Sequence, residues 1–549
     1  MRRLFFPPKK RKLKTTMKNS LKTSIVKCIT LIVLTIFNFN MKLYAQINSN
    51  TILKDSNVIY IQLKNKGHIK SWVLKKGFKS KSGHPLGNNI DTFNIQTIDQ
   101  PFAYTKHHAL GRVLKIRTNR IKNPQKFLQK LRKNSNLEFS EYGNIYLPIT
   151  STINDDDTTN SIIWHDDVLN LKKAHSITQG DSSVVIAVVD FVFNDSLTDL
   201  QNSWWTNPNE IANDGIDNDN NGYIDDIHGW DFGNNTSNAF YFINNLPDIV
   251  KKRFSHGTMV SDLAVGKRGN ANSTVGACPK CKIMPLNLQN ITPENLNPNY
   301  ETHPVPQEDA IIYAAYNGAD IVNCSFGRFT DTISRLEQLA YNYCDSMGCI
   351  LVAGSGNNGN YVSSSELPYF YPANYSKFIT VGSISKDLIK SQFSNYMPVT
   401  KVNIMAPGDD ILVGGRVSNN EYFHASGTSL SAPLISGILG LIKSQNPTAS
   451  SEDIRNILYQ SCNSIDYKNF EYNALNGYGV PNAYAAVLNT NLKRTDFYTK
   501  TLEQNQLKDT FIEFHCVAFN NGKYFWDWGD GTTSVVNTQT VLKKYSNNG

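Results

Sequence analysis

Three polar side chains stand beside apolar stretches of the sequence, in positions from which they could act on a substrate. Asp190 follows the apolar run of residues 184–189. His256 and Ser429 each precede an apolar stretch, which for Ser429 is residues 434–442. A carboxylate, an imidazole and a hydroxyl together supply the orienting acid, general base and nucleophile of covalent hydrolysis. Each also fits an ordinary role alone, as a turn residue, a hydrogen-bonded histidine or a helix N-cap. The three together favour a hydrolytic site.

The pattern of residues 149–490 predicts an α/β fold with a doubly wound, mostly parallel sheet. Uninterrupted β-branched runs indicate strands buried on both faces of a sheet, and they occur at residues 184–189, 321–322, 350–352 and 378–381. Helical patterns lie between them at residues 308–316 and 332–347, each followed by a glycine in a C-cap position. Sheets of this kind bind ligands at the carboxyl ends of their strands, which is where Asp190 lies.

Two further units flank this region. Residues 46–148 combine alternating strand patterns with a helix that opens at Asn123-Pro124, which predicts a small α+β unit. Residues 491–549 return to a strand pattern with a tight Gly-Asp-Gly turn, which predicts a small β-sandwich. At 549 residues the chain is long enough for such a division.

Seven ordered blocks resemble those of subtilisin-like serine proteases, the subtilases. The resemblance covers about residues 183–488, and the blocks are residues 186–190, 256–258, 318–327, 356–357, 371–374, 406–408 and 427–433. It implies a serine endopeptidase acting on protein or peptide substrates, with no cofactor for catalysis. By this resemblance Ser429 is the nucleophile, His256 the general base and Asp190 the residue that orients the imidazole.

The same resemblance assigns residues that would bind the substrate. Asn357 and the backbone N–H of Ser429 would form the oxyanion hole. The walls that pair with an extended substrate would come from two short segments: Ser325, Phe326 and Gly327, and Gly354, Ser355 and Gly356. No acidic residue lies nearby in sequence, so a strict preference for Lys or Arg is not indicated. One departure stands out, because Phe191-Val192 follow Asp190 where the family has Ser or Thr and then Gly.

An acidic segment further along the chain is similar to a loop that binds a hard cation. Residues 217–226 place the oxygen-bearing side chains around the turn glycine Gly222, and the predicted ligands are Asp217, Asp219, Asn221 and Asp225. The segment resembles an insertion of many secreted bacterial subtilases, in which calcium would be structural. A solvated acidic loop without a metal is the alternative.

The net charge of +9 is unevenly distributed, which argues against a nucleic-acid partner. Residues 46–150 carry a net charge of +13, whereas residues 151–549 carry −15. Residues 46–148 resemble a subtilase propeptide, which would cover the cleft as an intramolecular inhibitor and be removed by self-cleavage. The opposite charges fit such docking, although they fit an adhesive basic module equally well.

The first 45 residues predict a secretory signal peptide. They contain 11 Lys+Arg, no Asp or Glu, and an apolar run at residues 29–39 that ends six residues before Ala45. This run is too short to span a bilayer, so a cleaved signal is favoured over a membrane anchor and no stable membrane insertion is expected. The start could be Met1 or Met17. The predicted location is extracellular or on the cell surface of a bacterium.

Eight cysteines fit an oxidising compartment. The close pairs Cys278/Cys281 and Cys344/Cys349 predict short-loop disulfides. A zinc site is the weaker alternative for the first pair, because no second Cys pair or His pair lies near it. Cys324 and Cys462 lie in apolar surroundings and are expected to be packed thiols.

Residues 491–549 resemble a PKD-type immunoglobulin-like module that stops before its last strand. This module allows a second hypothesis from another functional class. In it, the chain is a catalytically inactive subtilase scaffold that acts as a surface adhesin or binding protein.

Overall fold

The computed structural model describes most of residues 54–488 and five strands beyond them. The described residues are 54–75, 84–86, 93–119, 123–148, 152–154, 163–240, 255–268, 274–290, 303–304, 306–359, 369–397, 399–415, 422–472, 475–488, 496–499, 511–517, 524–527, 533–536 and 540–544. The predicted signal peptide, residues 1–45, lies outside them.

The N-terminal unit is a four-stranded antiparallel sheet covered by a helix. Its elements are β1 (Lys54–Leu63), α1 (Ile69–Trp72), β2 (Ile95–Asp99), β3 (Val113–Thr118), α2 (Pro124–Arg132) and β4 (Leu137–Asn144), with sheet order β2-β3-β1-β4. Helix α2 begins where Asn123 accepts a hydrogen bond from the Lys126 N–H at 3.1 Å. Its apolar face packs on the sheet through Phe127, Leu128 and Leu131, as the α+β prediction expects.

The larger unit is built on a seven-stranded parallel sheet. The strands are β7 (Val185–Asp190), β8 (Trp230–Asp231), β9 (Lys282–Asn287), β12 (Ile321–Cys324), β14 (Ile350–Gly354), β16 (Phe378–Ile384) and β17 (Ile404–Pro407). Their order is β17-β16-β14-β12-β7-β9-β8, and every neighbouring pair is parallel. The predicted doubly wound α/β fold is confirmed.

Helices cover both faces of this sheet. They are α3 (Trp164–Val168), α4 (Leu171–His175), α5 (His256–Val265), α6 (Glu308–Tyr316), α7 (Arg335–Ser346), α8 (Thr428–Gln445), α9 (Ser451–Gln460) and α10 (Ala483–Leu488). Along β7, Ile186 and Val188 pack in the core that contains α5 and α8, whereas Val185, Ala187 and Val189 pack in the core that contains α6 and α7. Burial on both faces is why β7 is apolar at every position before Asp190.

Short strands form the edges of the larger unit. They are β10 (Gln289–Asn290), β11 (His303–Pro304), β13 (Phe326–Thr330), β15 (Tyr369–Tyr371), β18 (Ile411–Gly414), β19 (Tyr422–Ser426), β20 (Cys462–Asn463) and β21 (Val480–Pro481). The C-terminal segment contributes β22 (Asp496–Thr499), β23 (Phe511–Val517), β24 (Tyr524–Asp527), β25 (Thr533–Val536) and β26 (Thr540–Lys544), in the orders β22-β23-β26 and β24-β25. Among the described helices, none is both long and apolar enough to cross a bilayer.

The predicted boundary near residue 148 falls in a segment that pairs with the larger unit on both sides. Strand β5 (Leu147–Pro148) pairs antiparallel with Phe326 and Gly327 of β13. Strand β6 (Thr152–Asn154) pairs antiparallel with residues 424–426 of β19. The N-terminal unit therefore ends on the surface of the α/β unit.

Polar contacts fasten the N-terminal unit to the start of two helices. The Glu141 carboxylate accepts hydrogen bonds from the N–H groups of Arg335 and Leu336, at 3.1 and 2.8 Å, at the first turn of α7. Asp309, in the first turn of α6, pairs with Lys115 and accepts a hydrogen bond from the Tyr60 hydroxyl at 2.8 Å. Glu141 contacts the N-terminus of α7, and Asp309 lies in the first turn of α6. A helix N-terminus favours negative charge.

Of the two disulfides predicted from the sequence, the structure contains one. Cys278 and Cys281 form the predicted disulfide. Cys344 and Cys349 do not, which corrects the second predicted pairing, because both remain thiols packed in the apolar core between α7 and β14. Cys324 is buried as expected, whereas Cys462 is partly exposed.

Removing the charge of Asp309 tests the interface between the two units. In a Ser429→Ala background, Asp309→Asn leaves buried Lys115 without its counter-charge, at a cost of about 3–5 kcal/mol. Glu138→Gln is the matched control, because the Glu138 side chain is 43% exposed in its pair with Arg112. We expect thermal unfolding to begin at a clearly lower temperature in Asp309→Asn only. Equal melting curves for the two variants would contradict this account of the interface.

Candidate active site

Asp190 and His256 form a hydrogen-bonded pair that is closed off from solvent. Asp190 ends β7 and His256 is the first residue of α5, and their side chains are 0% and 1% exposed. His256 Nδ1 lies 2.5 Å from Asp190 Oδ1, which also accepts the Phe191 N–H at 2.6 Å. An ionised carboxylate can only accept, so Nδ1 carries the proton and Nε2 is the basic nitrogen. Burial raises the pKa of Asp190, and the bond to His256 offsets part of that rise.

Ser429 is the second residue of α8. Pro433, further along the same helix, decides which group can donate to the Ser429 carbonyl. Pro433 has no N–H, so the Ser429 carbonyl lacks its usual partner four residues later. The Ser325 hydroxyl takes that place and donates to the Ser429 carbonyl at 2.9 Å. This bond ties the predicted nucleophile to the first predicted substrate wall.

The two atoms that are predicted to react, Ser429 Oγ and His256 Nε2, are both buried. Within the described part of the chain, neither Ser429 Oγ nor His256 Nε2 has a hydrogen-bond partner, so the structure joins His256 to Asp190 but does not hydrogen-bond it to Ser429. Their helices pack closely, because Gly437 of α8 lies where a Cβ would come 2.6 Å from the Ala264 carbonyl of α5. A proton-transfer step requires a hydroxyl and a basic nitrogen that are both available for a new hydrogen bond.

The Phe191-Val192 departure leaves the acid–base pair in place. Val192 adopts a φ of 57°, a conformation that glycine reaches without strain and a β-branched residue does not. Its N–H donates to Asn287 Oδ1 at 2.9 Å, and the Phe191 carbonyl accepts the Gly257 N–H at 2.9 Å. Phe191 packs edge-on against Phe326, with ring centroids 6.2 Å apart. Phe191 therefore reaches the predicted substrate wall, and Asp190 keeps its bond to His256.

Asn357 is held in one orientation by Thr428, which precedes Ser429. Asn357 Oδ1 accepts the Thr428 N–H at 2.9 Å and the Thr428 hydroxyl at 3.0 Å. Because these contacts engage the carbonyl end of the amide, Nδ2 is the end that can donate to a substrate. The positioning role of Thr428 was missed from the sequence, where it reads only as part of the block around Ser429.

The two predicted substrate walls are not equivalent in the structure. Phe326 and Gly327 form an antiparallel pair with β5. A wall that binds an extended substrate as an added strand is expected to pair with it in this way. Gly354, Ser355 and Gly356 make no such pairing within the described residues. Gly354 instead lies against Thr428, where a Cβ would come 2.8 Å from its carbonyl, and the Ser355 N–H donates to the Val381 carbonyl at 2.8 Å.

The acidic segment brings together a different set of carboxylates from the predicted one. Glu210, Asp219 and Asp226 have oxygen atoms that all lie within 4.8 Å of one another. The predicted ligands Asp217 and Asp225 lie outside this cluster. Each accepts two backbone N–H groups, as Glu210 within the cluster also accepts several. Burial raises the pKa of Asp226 to about 7. Sequence reasoning missed Glu210 because it lies outside residues 217–226, and nothing in the sequence indicates that the fold places it beside Asp219 and Asp226.

Comparison with known proteins places the chain in a family. The model of the subtilase family matches residues 181–484. A thermophilic serine proteinase of Bacillus sp. (strain AK1) is 32% identical over 226 residues, covering 41% of this chain and 51% of the relative. Nep, a halolysin-like extracellular serine protease of Natrialba magadii, is 29% identical over 320 residues, covering 58% and 50%. The chain thus spans about half the length of both relatives.

The fold also matches solved structures. Fervidolysin from Fervidobacterium pennivorans, described as a keratinolytic enzyme related to subtilisin, aligns with a TM-score of 0.55 at 16% identity. The alignment covers 88% of this chain and 67% of fervidolysin. At this identity the likeness concerns the fold alone.

Replacing Asn357 tests whether its amide contacts the reacting carbonyl. Asn357→Ala should lower kcat by about 10²–10³-fold with little change in KM, because an oxyanion donor acts mainly on the transition state. The neighbouring Asn358→Ala, which keeps the backbone hydrogen bond from Asn358 to Asn395, is the control. Steady-state kinetics with a peptide substrate distinguish them. Equal kcat values would exclude this role for Asn357.

Proposed function

The chain belongs to the subtilase family, and from this premise we propose that it is a serine endopeptidase that hydrolyses peptide bonds with Asp190, His256 and Ser429. The observation that carries the proposal is the buried bond from His256 to Asp190. It leaves the basic nitrogen of His256 uncommitted, and Ser429 Oγ is likewise uncommitted among the described residues.

In the proposed reaction, Ser429 Oγ attacks the substrate carbonyl while His256 Nε2 takes its proton. Asp190 stabilises the imidazolium that forms. Asn357 Nδ2 and the Ser429 N–H donate to the oxyanion, and each such donor contributes about 3 kcal/mol to the transition state. His256 then gives the proton to the leaving amine, which departs and leaves the acyl group on Ser429. Water, deprotonated by His256, hydrolyses that ester.

We further propose that the chain is made as a zymogen in which residues 46–148 are an intramolecular inhibitor. The pairing of β5 with Phe326 and Gly327 supports this, because it occupies the wall assigned to a substrate. The paired segments approach Ser429 from two sides. Ser325, next to Phe326, bonds to the Ser429 carbonyl, and β19 ends three residues before Ser429. The bond to be cleaved should therefore lie between residues 148 and 152.

The proposed location is outside the cell, with residues 1–45 as a signal peptide. The extracellular relative from Natrialba magadii supports this, as does the disulfide between Cys278 and Cys281. We propose that residues 491–549 form a PKD-type module that binds protein or polysaccharide. Its support is the five strands in two small sheets.

A structural calcium ion is proposed for the acidic segment. Glu210, Asp219 and Asp226 would hold it, because carboxylate oxygens are the ligands that calcium prefers and three converge here. A bound divalent cation would offset the repulsion among these carboxylates and fix a segment that packs against Tyr313 of α6. It would take no part in the reaction.

Replacing the nucleophile tests maturation and activity together. Intact mass and N-terminal sequencing of the secreted wild type should give a chain that begins between residues 149 and 152. Ser429→Ala, which removes a single oxygen atom, should keep residues 46–148 covalently attached. If Ser429→Ala matures at the same position and rate in a protease-free host, self-cleavage is refuted. Unprocessed wild type without hydrolytic activity would instead favour the inactive adhesin.

Removing calcium tests the metal proposal. EGTA should lower the melting temperature of the Ser429→Ala chain, and calcium at about 100 times its dissociation constant should restore about 2.7 kcal/mol. Glu210→Gln combined with Asp226→Asn should abolish this response. Asp225→Asn is the control, since its carboxylate caps backbone N–H groups, and it should keep the response. A calcium response that survives the double substitution would refute the assignment.

A further inference from the structure

Tyr146, the last residue before β5, fills a closed pocket in the larger unit. Its side chain is 0% exposed. The ring packs edge-on against Phe326 with centroids 5.3 Å apart, and the Arg328 guanidinium lies 5.0 Å from the ring centroid. An aromatic edge contact and a cation over the ring face together favour a flat aromatic side chain in this position.

The bottom of the pocket contains an acceptor for the phenol hydroxyl. The Tyr146 hydroxyl donates to Glu337 Oε1 and lies 3.4 Å from the Tyr341 hydroxyl. Glu337 is completely buried. The pocket therefore contains a hydrogen-bond acceptor for the hydroxyl as well as contacts for the ring. A site made only of apolar side chains has no such acceptor.

The acceptor is rigidly held by the α/β unit itself. Arg328 donates to both Glu337 oxygens at 2.9 Å, and the Ser334 N–H donates to Oε2 at 2.6 Å. Gln307 donates to the Tyr341 hydroxyl at 2.5 Å. These groups all come from the larger unit, so the pocket survives when the N-terminal unit is released. Because Arg328 already neutralises Glu337, the pocket has no surplus negative charge with which to select Lys or Arg.

We propose that this pocket is a substrate subsite that selects tyrosine, and that Tyr146 occupies it as the chain's own first substrate. The inference rests on the proposed peptidase function. Its basis is position: Tyr146 directly precedes the two residues that pair with Phe326 and Gly327. A substrate strand on the same wall places its own side chain in the same pocket. Phenylalanine removes the hydroxyl donor from Glu337 Oε1, and phosphotyrosine brings two negative charges against this carboxylate.

Peptides with the sequence of residues 143–154 test the selection directly on the mature enzyme. The peptide with Tyr at position 146 should be cleaved with a kcat/KM about 10-fold above that with Phe and about 100-fold above that with Ala, since a site built around a hydroxyl discriminates against its absence. The phosphotyrosine peptide should not be cleaved. Casein is the activity control.

The outcomes separate the two proposals. If neither casein nor any peptide is cleaved, the peptidase function fails. If casein is cleaved but the Tyr peptide is not, or Phe serves as well as Tyr, the subsite inference alone fails.

A matched pair of variants tests the same pocket in the intact chain. Tyr146→Phe should slow self-cleavage by about 10-fold. Tyr142→Phe is the control, because its hydroxyl has no hydrogen-bond partner among the described residues, and it should mature at the wild-type rate. Both unprocessed chains, measured in the Ser429→Ala background, should be fully folded at the temperature of the maturation assay, which shows that the rate difference is not a folding defect. Equal maturation rates would overturn the proposal.

Discussion

A buried carboxylate that accepts the Nδ1 proton of His256 is the contact on which the rest of the site depends. Asp190 can accept this hydrogen bond because it ends β7, an interior strand of a sheet that is packed on both faces. With Nδ1 engaged, Nε2 must be the basic nitrogen, and it has no hydrogen-bond partner among the described residues. The strained Val192 and the close approach at Gly257 are local consequences of bringing α5 so near to the end of β7.

The N-terminal unit makes specific contacts with the α/β unit. Its strand β5 lies on the wall formed by Phe326 and Gly327, its Tyr146 fills the neighbouring pocket, and its Glu141 meets the first turn of α7. These contacts are specific, and they account for docking better than the general opposition of a basic N-terminal region and an acidic body does. Under the proposal that residues 46–148 are a propeptide, the subsites that hold this unit would also indicate what the enzyme recognises.

Much of the fold and the pairing of Asp190 with His256 could be predicted from the sequence, because both leave local signals. Continuous apolar runs marked β7, β12, β14 and β16, and the helix predicted at residues 308–316 has those bounds in the structure. Contacts between distant segments leave no such signal. Nothing in the sequence brings Glu337 to Tyr146 or Glu210 to Asp226, because chain folding alone sets those distances. The Cys344/Cys349 prediction was wrong for a related reason, since closeness in sequence does not decide whether two packed thiols are joined.

Covalent labelling with a serine-directed phosphonate is the most direct test of the claim that Asp190, His256 and Ser429 form one reactive site. Peptide mapping of the mature wild type should find one phosphonate per chain, on Ser429. His256→Ala should lose the label although Ser429 is unchanged, because the hydroxyl then has no base, and Asp190→Asn should label far more slowly. Labelling of Ser429 at the wild-type rate in His256→Ala, or a label on another residue, would contradict the account.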